Sequence, residues 1–264
     1  MADKVLPGPV DSGSCPAAGV NIHTGKILDA CRDKDCIDDL RVYPTVSSQA
    51  ILDSAFSVRP QSAELLHADV NVDAISFNRG YYTVDVTYFY SITGETFPGG
   101  VQVRGLAVFD KRVILYGSEG GVKTFSSLDR FPGGRGGNDQ NPVAVVEAVD
   151  PIALNLRIAD GCGCDDAPKL RSIPAEISEA IGEDLNLSGT GKRMYVTLGQ
   201  FSMIRLERDY QLTLNNVETF MPVKECVGSS DDDPCTLFSR VRFPMEEFFP
   251  PDSLPKNECY RDLV

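Results

Sequence analysis

The stretch Tyr82-Thr-Val-Asp-Val-Thr-Tyr-Phe-Tyr-Ser-Ile92 decides the fold class, because its apolar and aromatic side chains recur at every second position. A period of two is the pattern of a β-strand that buries one face. Further strands are predicted over residues 66–74, 101–109, 113–116, 143–149, 152–158, 193–206, 210–214 and 217–223, with a tight hairpin at Asp110-Lys111. The sequence therefore predicts a mainly β protein with an antiparallel β-sandwich-like core.

One or two short helices and two extended arms complete the predicted architecture. Ser47 or Ser48 can cap the first helix, and the second begins near Ser172 and ends at Gly182. Their predicted inward residues are Ala50, Ile51 and Ala55 in the first and Ile177, Ala180 and Ile181 in the second. A short helix or turn is also expected within residues 26–40. The first 22 residues and the proline-rich C-terminal tail have no apolar period, which indicates arms.

The chain divides into three predicted regions. Residues 1–40 form an N-terminal arm rich in proline, glycine and cysteine, and residues 41–160 form a first β unit. Residues 161–264 form a second β unit with a short helix and the C-terminal arm. The alternative is that both β units belong to one continuous core.

Charge and hydropathy exclude several kinds of partner. The 38 acidic and 25 basic side chains give a net charge of -13, which repels nucleic acid phosphates and anionic lipid headgroups. No apolar run reaches the ~18 residues of a membrane span, and no secretory leader precedes a small-residue cleavage site. We therefore expect a protein that is made in the cytosol and does not insert into membranes or bind nucleic acid.

The sequence carries no recognisable catalytic motif. The segment after Gly189 lacks the spacing of a phosphate-binding loop, and no Gly-x-Ser-x-Gly elbow is present. The two histidines, His23 and His67, lie in the predicted arm and on the polar face of a predicted strand. We expect a protein that is not an enzyme and carries no cofactor.

Eight cysteines lie mostly in polar segments rich in glycine, proline and aspartate, where thiols can meet partners. Cys226 and Cys235 enclose an eight-residue polar turn, which favours a disulfide between them; the alternative is two free thiols in a loop. Cysteines in mobile arms suit bridges between subunits. The candidates for disulfides or cross-links are Cys15, Cys31, Cys36, Cys226, Cys235 and Cys259.

Two short clusters are candidates for metal binding. Cys162-Gly-Cys164 places two thiols on one side of an extended segment, which suits a soft ion better than a mutual disulfide. Asp231, Asp232 and Asp233 suggest calcium, although three adjacent acids without the spacing of a calcium loop are more often a solvated turn. No Cys-x-x-Cys knuckle is present, so structural zinc in one subunit is not expected.

Five stretches resemble a cysteine-rich family of clostridia and related spore-forming anaerobes, whose members are associated with spore coat or exosporium layers. They are CRDKDCIDDLRVY (31–43), FNRGYYTVD (77–85), VILYGSEG (113–120), VVEAVDPIAL (145–154) and VTLGQFSMIRLER (196–208). The resemblance spans nearly the whole chain. It implies a protein that is deposited on the spore surface and meets oxidants after the mother cell lyses.

The leading hypothesis is a structural protein that assembles with copies of itself, and with other surface-layer proteins where these are present, into an extracellular or spore-surface layer or fibre. Strand edges would join subunits by β-augmentation, and cysteines would cross-link them. The alternative is a β-sandwich module that binds carbohydrate or another surface ligand. Its platform would be the tyrosines predicted to be exposed, Tyr81, Tyr82, Tyr88 and Tyr90.

Overall fold

The computed structural model describes residues 20–120, 141–161, 173–187, 191–214, 238 and 243–248. Their strands are β1 (Val20–Pro44), β2 (Ser57–Ala74), β3 (Tyr81–Phe97), β4 (Gln102–Tyr116), β5 (Val143–Ala148), β6 (Ile152–Ala159) and β7 (Arg193–Leu214). The helices are α1 (Val46–Ser54), α2 (Ala175–Ile181) and α3 (Met245–Phe248). No helix in these ranges is long and apolar enough to cross a membrane.

The described strands form one antiparallel sheet in the order β2-β3-β4-β1-β7-β5, and β6 also pairs with β7. The sheet curls into a nearly closed barrel, in which β2 lies against β5 and β6. Two hydrogen bonds cross this seam. The backbone N–H of Leu65 donates to Asp150 Oδ1 at 2.9 Å, and Asn141 Nδ2 donates to the carbonyl oxygen of Val72 at 3.2 Å. The mainly β, antiparallel class is confirmed.

The barrel interior is filled by alternate residues of the long strands. Along β3 the even-numbered residues from Tyr82 to Ile92 are buried and belong to one apolar cluster, as their period predicts. A smaller cluster lies on the outer face of the sheet, where α2 places Ile177 and Ile181 against Phe89 and Leu106. Strands from both predicted β units therefore pair within one sheet.

Residues 20–44 differ most from expectation. The segment 26–40, for which the sequence favours a helix or turn, is part of β1, which lies between β4 and β7 in the sheet. The expectation was wrong because two of the inward side chains of this strand are Asp33 and Asp35, so its sequence shows no alternation of apolar residues. The expected hairpin at Asp110-Lys111 is also absent: β4 runs through it, and Lys111 points inward.

The helices begin and end close to the predicted positions. The N-cap of α1 is Thr45, whose hydroxyl accepts a hydrogen bond from the backbone N–H of Ser48 at 3.3 Å, so the cap lies two or three residues before the serines expected there. Gly182 ends α2 in the left-handed conformation, with a φ of 73°, which glycine adopts without strain. Ile177 and Ile181 are buried as expected, whereas Ala180 is exposed.

Candidate functional site

The two flanks of β1 are paired very differently. On one side it pairs with β7 along almost its whole length. On the other side it pairs with β4 over three residues only, from Val42–Pro44 to Gly105–Ala107. Beyond that point, hydrogen bonds of aspartate side chains connect the two strands.

Asp29 makes the first of these connections. Its Oδ1 accepts a hydrogen bond from the backbone N–H of Ala30 at 2.9 Å, and its Oδ2 accepts one from the backbone N–H of Tyr116 at 3.0 Å. A carboxylate thus replaces a missing backbone acceptor between the ends of the two strands.

A buried ion cluster makes the second connection, and we call it the carboxylate bridge: Asp33, Asp35 and Lys111. Lys111 Nζ donates to Asp33 Oδ2 and to Asp35 Oδ2, and Asp33 Oδ1 also accepts the backbone N–H of Lys34 at 2.7 Å. The side chain of Lys111 is only 8% exposed, and those of Asp33 and Asp35 are 13% and 14% exposed. Three charged groups therefore lie largely out of water, which is costly unless each is paired.

Burial raises the pKa of Asp35 above its ordinary value of 3.8. The neighbouring carboxylate of Asp33 raises this pKa further, while the charge of Lys111 acts in the opposite direction. The raised pKa means that one lysine does not fully compensate the cost of burying the second carboxylate.

Next to the bridge, four uncharged polar side chains project into the barrel interior: Tyr88, Tyr90, Gln200 and Ser202. All four are fully buried. Within the described ranges, the buried side-chain oxygens that have no hydrogen-bond partner are Tyr88 Oη, Tyr90 Oη, Gln200 Oε1 and Ser202 Oγ. Such orphaned oxygens are rare in folded proteins and call for an explanation.

The four side chains and the bridge form one group. Burial raises the pKa of both tyrosines, and the charge of Asp35 raises each pKa further. Tyr88 also lies near Ser202, although neither oxygen completes a hydrogen bond of normal geometry. Since β4 and β1 separate β3 from β7 in the sheet, the Tyr88 side chain spans the interior to reach Ser202.

The ends of the barrel expose large apolar side chains. At the end that we call the α1 end lie Phe56, Phe97 and Val101, which are 81%, 61% and 45% exposed. The backbone N–H of Phe56 donates to the carbonyl oxygen of Phe97 at 2.9 Å, and that of Thr96 donates to Val101 at 3.0 Å, so this group is contiguous.

The opposite end, which we call the turn end, carries a second apolar group. Phe77, in the turn between β2 and β3, is 92% exposed, and Tyr81 and Tyr116 are 39% and 42% exposed. The rings of Tyr81 and Tyr116 meet edge to face with centroids 5.4 Å apart. The turn is held to the end of β4 by the N–H of Gly117, which donates to the carbonyl oxygen of Gly80 at 2.8 Å.

Two of the predicted cross-linking cysteines lie on β1. Cys31 and Cys36 are both disulfide-bonded. Five residues of extended strand separate their Cα atoms by roughly 16 Å, well beyond the limit of about 7 Å for a disulfide. They are therefore not bonded to each other.

Most other predicted site residues fall outside the described residues: Cys15, Cys162, Cys164, Cys226, Cys235, Cys259, Asp231, Asp232 and Asp233. In the part of the chain that the structure describes, no group of three or more histidine, cysteine, aspartate or glutamate side chains is arranged to hold a metal. His67 is exposed and lies 3.0 Å from Asp69 Oδ1.

The predicted external tyrosine platform was wrong. Tyr82, Tyr88 and Tyr90 are buried inside the barrel, and only Tyr81 is on the surface. They share a strand face with Val84 and Val86, and burial of those valines takes the tyrosines inward as well. An external sugar-stacking surface cannot be built from them.

Sequence reasoning missed the carboxylate bridge. Asp33 and Asp35 are two residues apart, so a strand places both on one face, but the polar composition of residues 26–40 favours a helix or turn. Lys111 falls in the expected hairpin. If residues 26–40 or the segment around Lys111 had been interpreted as a strand, the charged side chains on its inner face would have been apparent.

Comparison with known proteins finds no matching family model, no matching curated protein and no matching solved structure.

Proposed function

We propose that this protein is a structural component that assembles with copies of itself, head to tail, into an ordered extracellular or spore-surface layer or fibre. The observation that carries the proposal is the pair of exposed apolar groups at opposite ends of the barrel. Resemblance to a spore-surface family supports the location, and it stays a prediction.

The two groups lie at opposite ends of β3 and differ in shape. Strand β3 has 17 residues and runs from the turn end to the α1 end, a span of roughly 55 Å at about 3.3 Å per residue. Phe77 is a single aromatic side chain that protrudes from a tight turn, whereas Phe56, Phe97 and Val101 form a broader surface. A contiguous exposed apolar surface, such as the one at the α1 end, marks an interaction site more often than a single exposed side chain does.

A contact between unlike ends is heterologous, and such contacts produce open chains when the rotation between copies does not close a ring. Each copy in such a chain offers a free end to the next one.

Outer strand edges take no part in this proposal. In the described residues β2 lies against β5 and β6, and the seam is bridged through Asp150 and Asn141. β-augmentation at these edges would first have to open the seam. The apolar ends are accessible without any rearrangement.

Disulfides at Cys31 and Cys36 are consistent with a protein that works in oxidising surroundings. Cys31 and Cys36 are two of the six cysteines predicted to form disulfides or cross-links. A cross-link between copies stays a prediction.

A complementation experiment tests the proposal. Phe77→Ser removes the protruding ring at one end, and Phe56→Ser weakens the surface at the other. Ile152→Thr is the matched control, because Ile152 is 44% exposed on β6, away from both ends. Light scattering and negative-stain microscopy report assembly under oxidising conditions.

We expect chains from the wild type and the control, and monomers from each end variant alone. An equimolar mixture of the two end variants should form dimers that grow no further, because it contains one intact pair of complementary ends. A wild-type protein that stays monomeric at high concentration overturns the proposal. End variants that assemble as well as the control, or a mixture that stays monomeric, overturn the head-to-tail contact.

A further inference from the structure

We infer that the barrel interior binds one small monovalent cation among the oxygens of Tyr88, Tyr90, Gln200 and Ser202, beside the carboxylate bridge. This inference is independent of the assembly proposed above.

The first argument is the kind of atom left without a partner. The four unpartnered groups are two phenol hydroxyls, one alcohol hydroxyl and one amide oxygen. Gln200 already donates through Nε2 to the carbonyl oxygens of Val149 and Phe201, at 3.2 Å and 3.1 Å, so its free atom is the acceptor. Oxygen atoms are the ligands that hard cations prefer.

The second argument is charge. The carboxylate bridge contains two carboxylates and one ammonium group, so it carries a formal charge of about -1 when all three ionise. Lys111 donates to both carboxylates and so is already committed to the bridge. One additional positive charge would neutralise the group.

The third argument separates a monovalent ion from a divalent or transition metal. Both carboxylates already bind Lys111, and the other nearby oxygens are uncharged. No cluster of three or more histidine, cysteine, aspartate or glutamate side chains is available in the described residues. Divalent ions usually require more anionic ligands than this site supplies.

Buried water is the competing occupant, since water also satisfies orphaned polar atoms. Water and a cation differ in one measurable respect: a bound cation makes stability rise saturably with the concentration of one small ion, whereas general salt effects on the protein surface change stability gradually and do not saturate. The full-length protein is therefore dialysed into tetramethylammonium chloride, whose cation is too large for the site. It is then titrated with potassium, sodium or ammonium chloride while the total salt is held constant.

We expect a saturable rise in Tm of at least about 2 °C with one or more of the three small cations. The cation that acts at the lowest concentration identifies the ligand. Diffraction from crystals soaked in thallium or rubidium salt should show one anomalous peak among the four oxygens. Identical Tm values in all four salts, with no anomalous peak, mean that only water is present and overturn the inference.

Two conservative variants locate the site. Tyr90→Phe and Ser202→Ala each delete one orphaned oxygen and should reduce or abolish the cation-dependent rise in Tm. Without a cation, deleting an unsatisfied buried polar atom should be neutral or stabilising. Ser91→Ala is the matched control, because Ser91 is buried on the opposite face of β3 and should leave the cation response unchanged. A cation response that survives both site variants overturns the assignment to these oxygens.

Discussion

The flanks of β1 show two ways of holding a strand inside a sheet. Towards β7 it pairs by backbone hydrogen bonds along nearly its full length, with register shifts only at 27–29 and 37–40. Towards β4 the backbone ladder ends after three residue pairs, and Asp29 and the carboxylate bridge connect the strands beyond it. A backbone ladder has no titratable group, whereas a carboxylate connection depends on pH and on the charges around it. The β4 flank should therefore be where mutation and pH have their largest effects.

The largest effect is expected from Lys111→Met, which keeps the length of the side chain and removes its charge. Two carboxylates would then lie buried beside each other without their cation. Breaking a buried ion pair by removing one partner costs roughly 3–5 kcal/mol. Urea unfolding at pH 7 should show a loss of this size, and the loss should shrink in acid as the carboxylates take up protons.

Arg157→Met is the matched control for that experiment. Arg157 pairs with Asp39 at 2.7 Å, but their side chains are 45% and 53% exposed. Exposed ion pairs contribute less than about 1 kcal/mol. Equal losses for Lys111→Met and Arg157→Met would show that the bridge has no special role. If Lys111→Met does not fold, Lys111→Asn with Asp33→Asn and Asp35→Asn should recover folding, because no unpaired charge remains.

The second prediction concerns pH and Asp35→Asn. The pKa of Asp35 is raised in the folded protein, so folding favours its protonated form. Its stabilising contribution is complete below the ordinary value of 3.8 and is lost as the pH rises through the higher folded value. The stability of the wild type relative to Asp35→Asn should therefore fall as the pH rises above about 4 and through the folded pKa. The fall should be about 1.4 kcal/mol for each pH unit that separates the folded pKa from the unfolded one.

Asp39→Asn provides a control of opposite sign. A hydrogen bond from Arg157 lowers the pKa of Asp39, so its contribution is present above the ordinary value and is lost as the pH falls through the lower one. Asp39 has a φ of 49°, which asparagine tolerates well. Parallel pH profiles for the two variants, measured by chemical unfolding, would contradict the assignment of Asp35 to a poorly compensated site.

A strand could be predicted from the sequence only where its inward residues are apolar. Strand β3 could be predicted because Val84, Val86 and Ile92 share an apolar face, and α2 because Gly182 follows its last buried residue. Strand β1 could not, because its inward side chains include two aspartates, and charge on a buried face resembles a solvated turn. Only the position of Lys111 across the gap makes that burial possible, and neither local period nor propensity contains this information.

The tyrosines of β3 show a related limit of prediction from sequence. The period of β3 placed Tyr82, Tyr88 and Tyr90 on one face, which was right, but their hydroxyls suggested an outer surface. This face points into the barrel because it also carries Val84 and Val86, whose side chains are wholly apolar and are buried. The orphaned hydroxyls of Tyr88 and Tyr90 follow from that burial, and no sequence pattern shows them.

The smallest effect is expected from Asp29→Asn at the far end of the β4 flank. Asp29 accepts backbone hydrogen bonds from Ala30 and Tyr116, whereas asparagine has only one oxygen, so one of the two bonds is lost at a cost of about 1 kcal/mol. Asp209→Asn is the control, because Asp209 faces β1 from β7, where backbone pairing continues, and should change stability by less than about 0.5 kcal/mol. Amide hydrogen exchange gives the sharper result: the N–H of Tyr116 or Ala30 should exchange faster in Asp29→Asn, while amides between β1 and β7 keep their rates. Unchanged exchange at both amides would mean that the aspartate does not hold the strands together there.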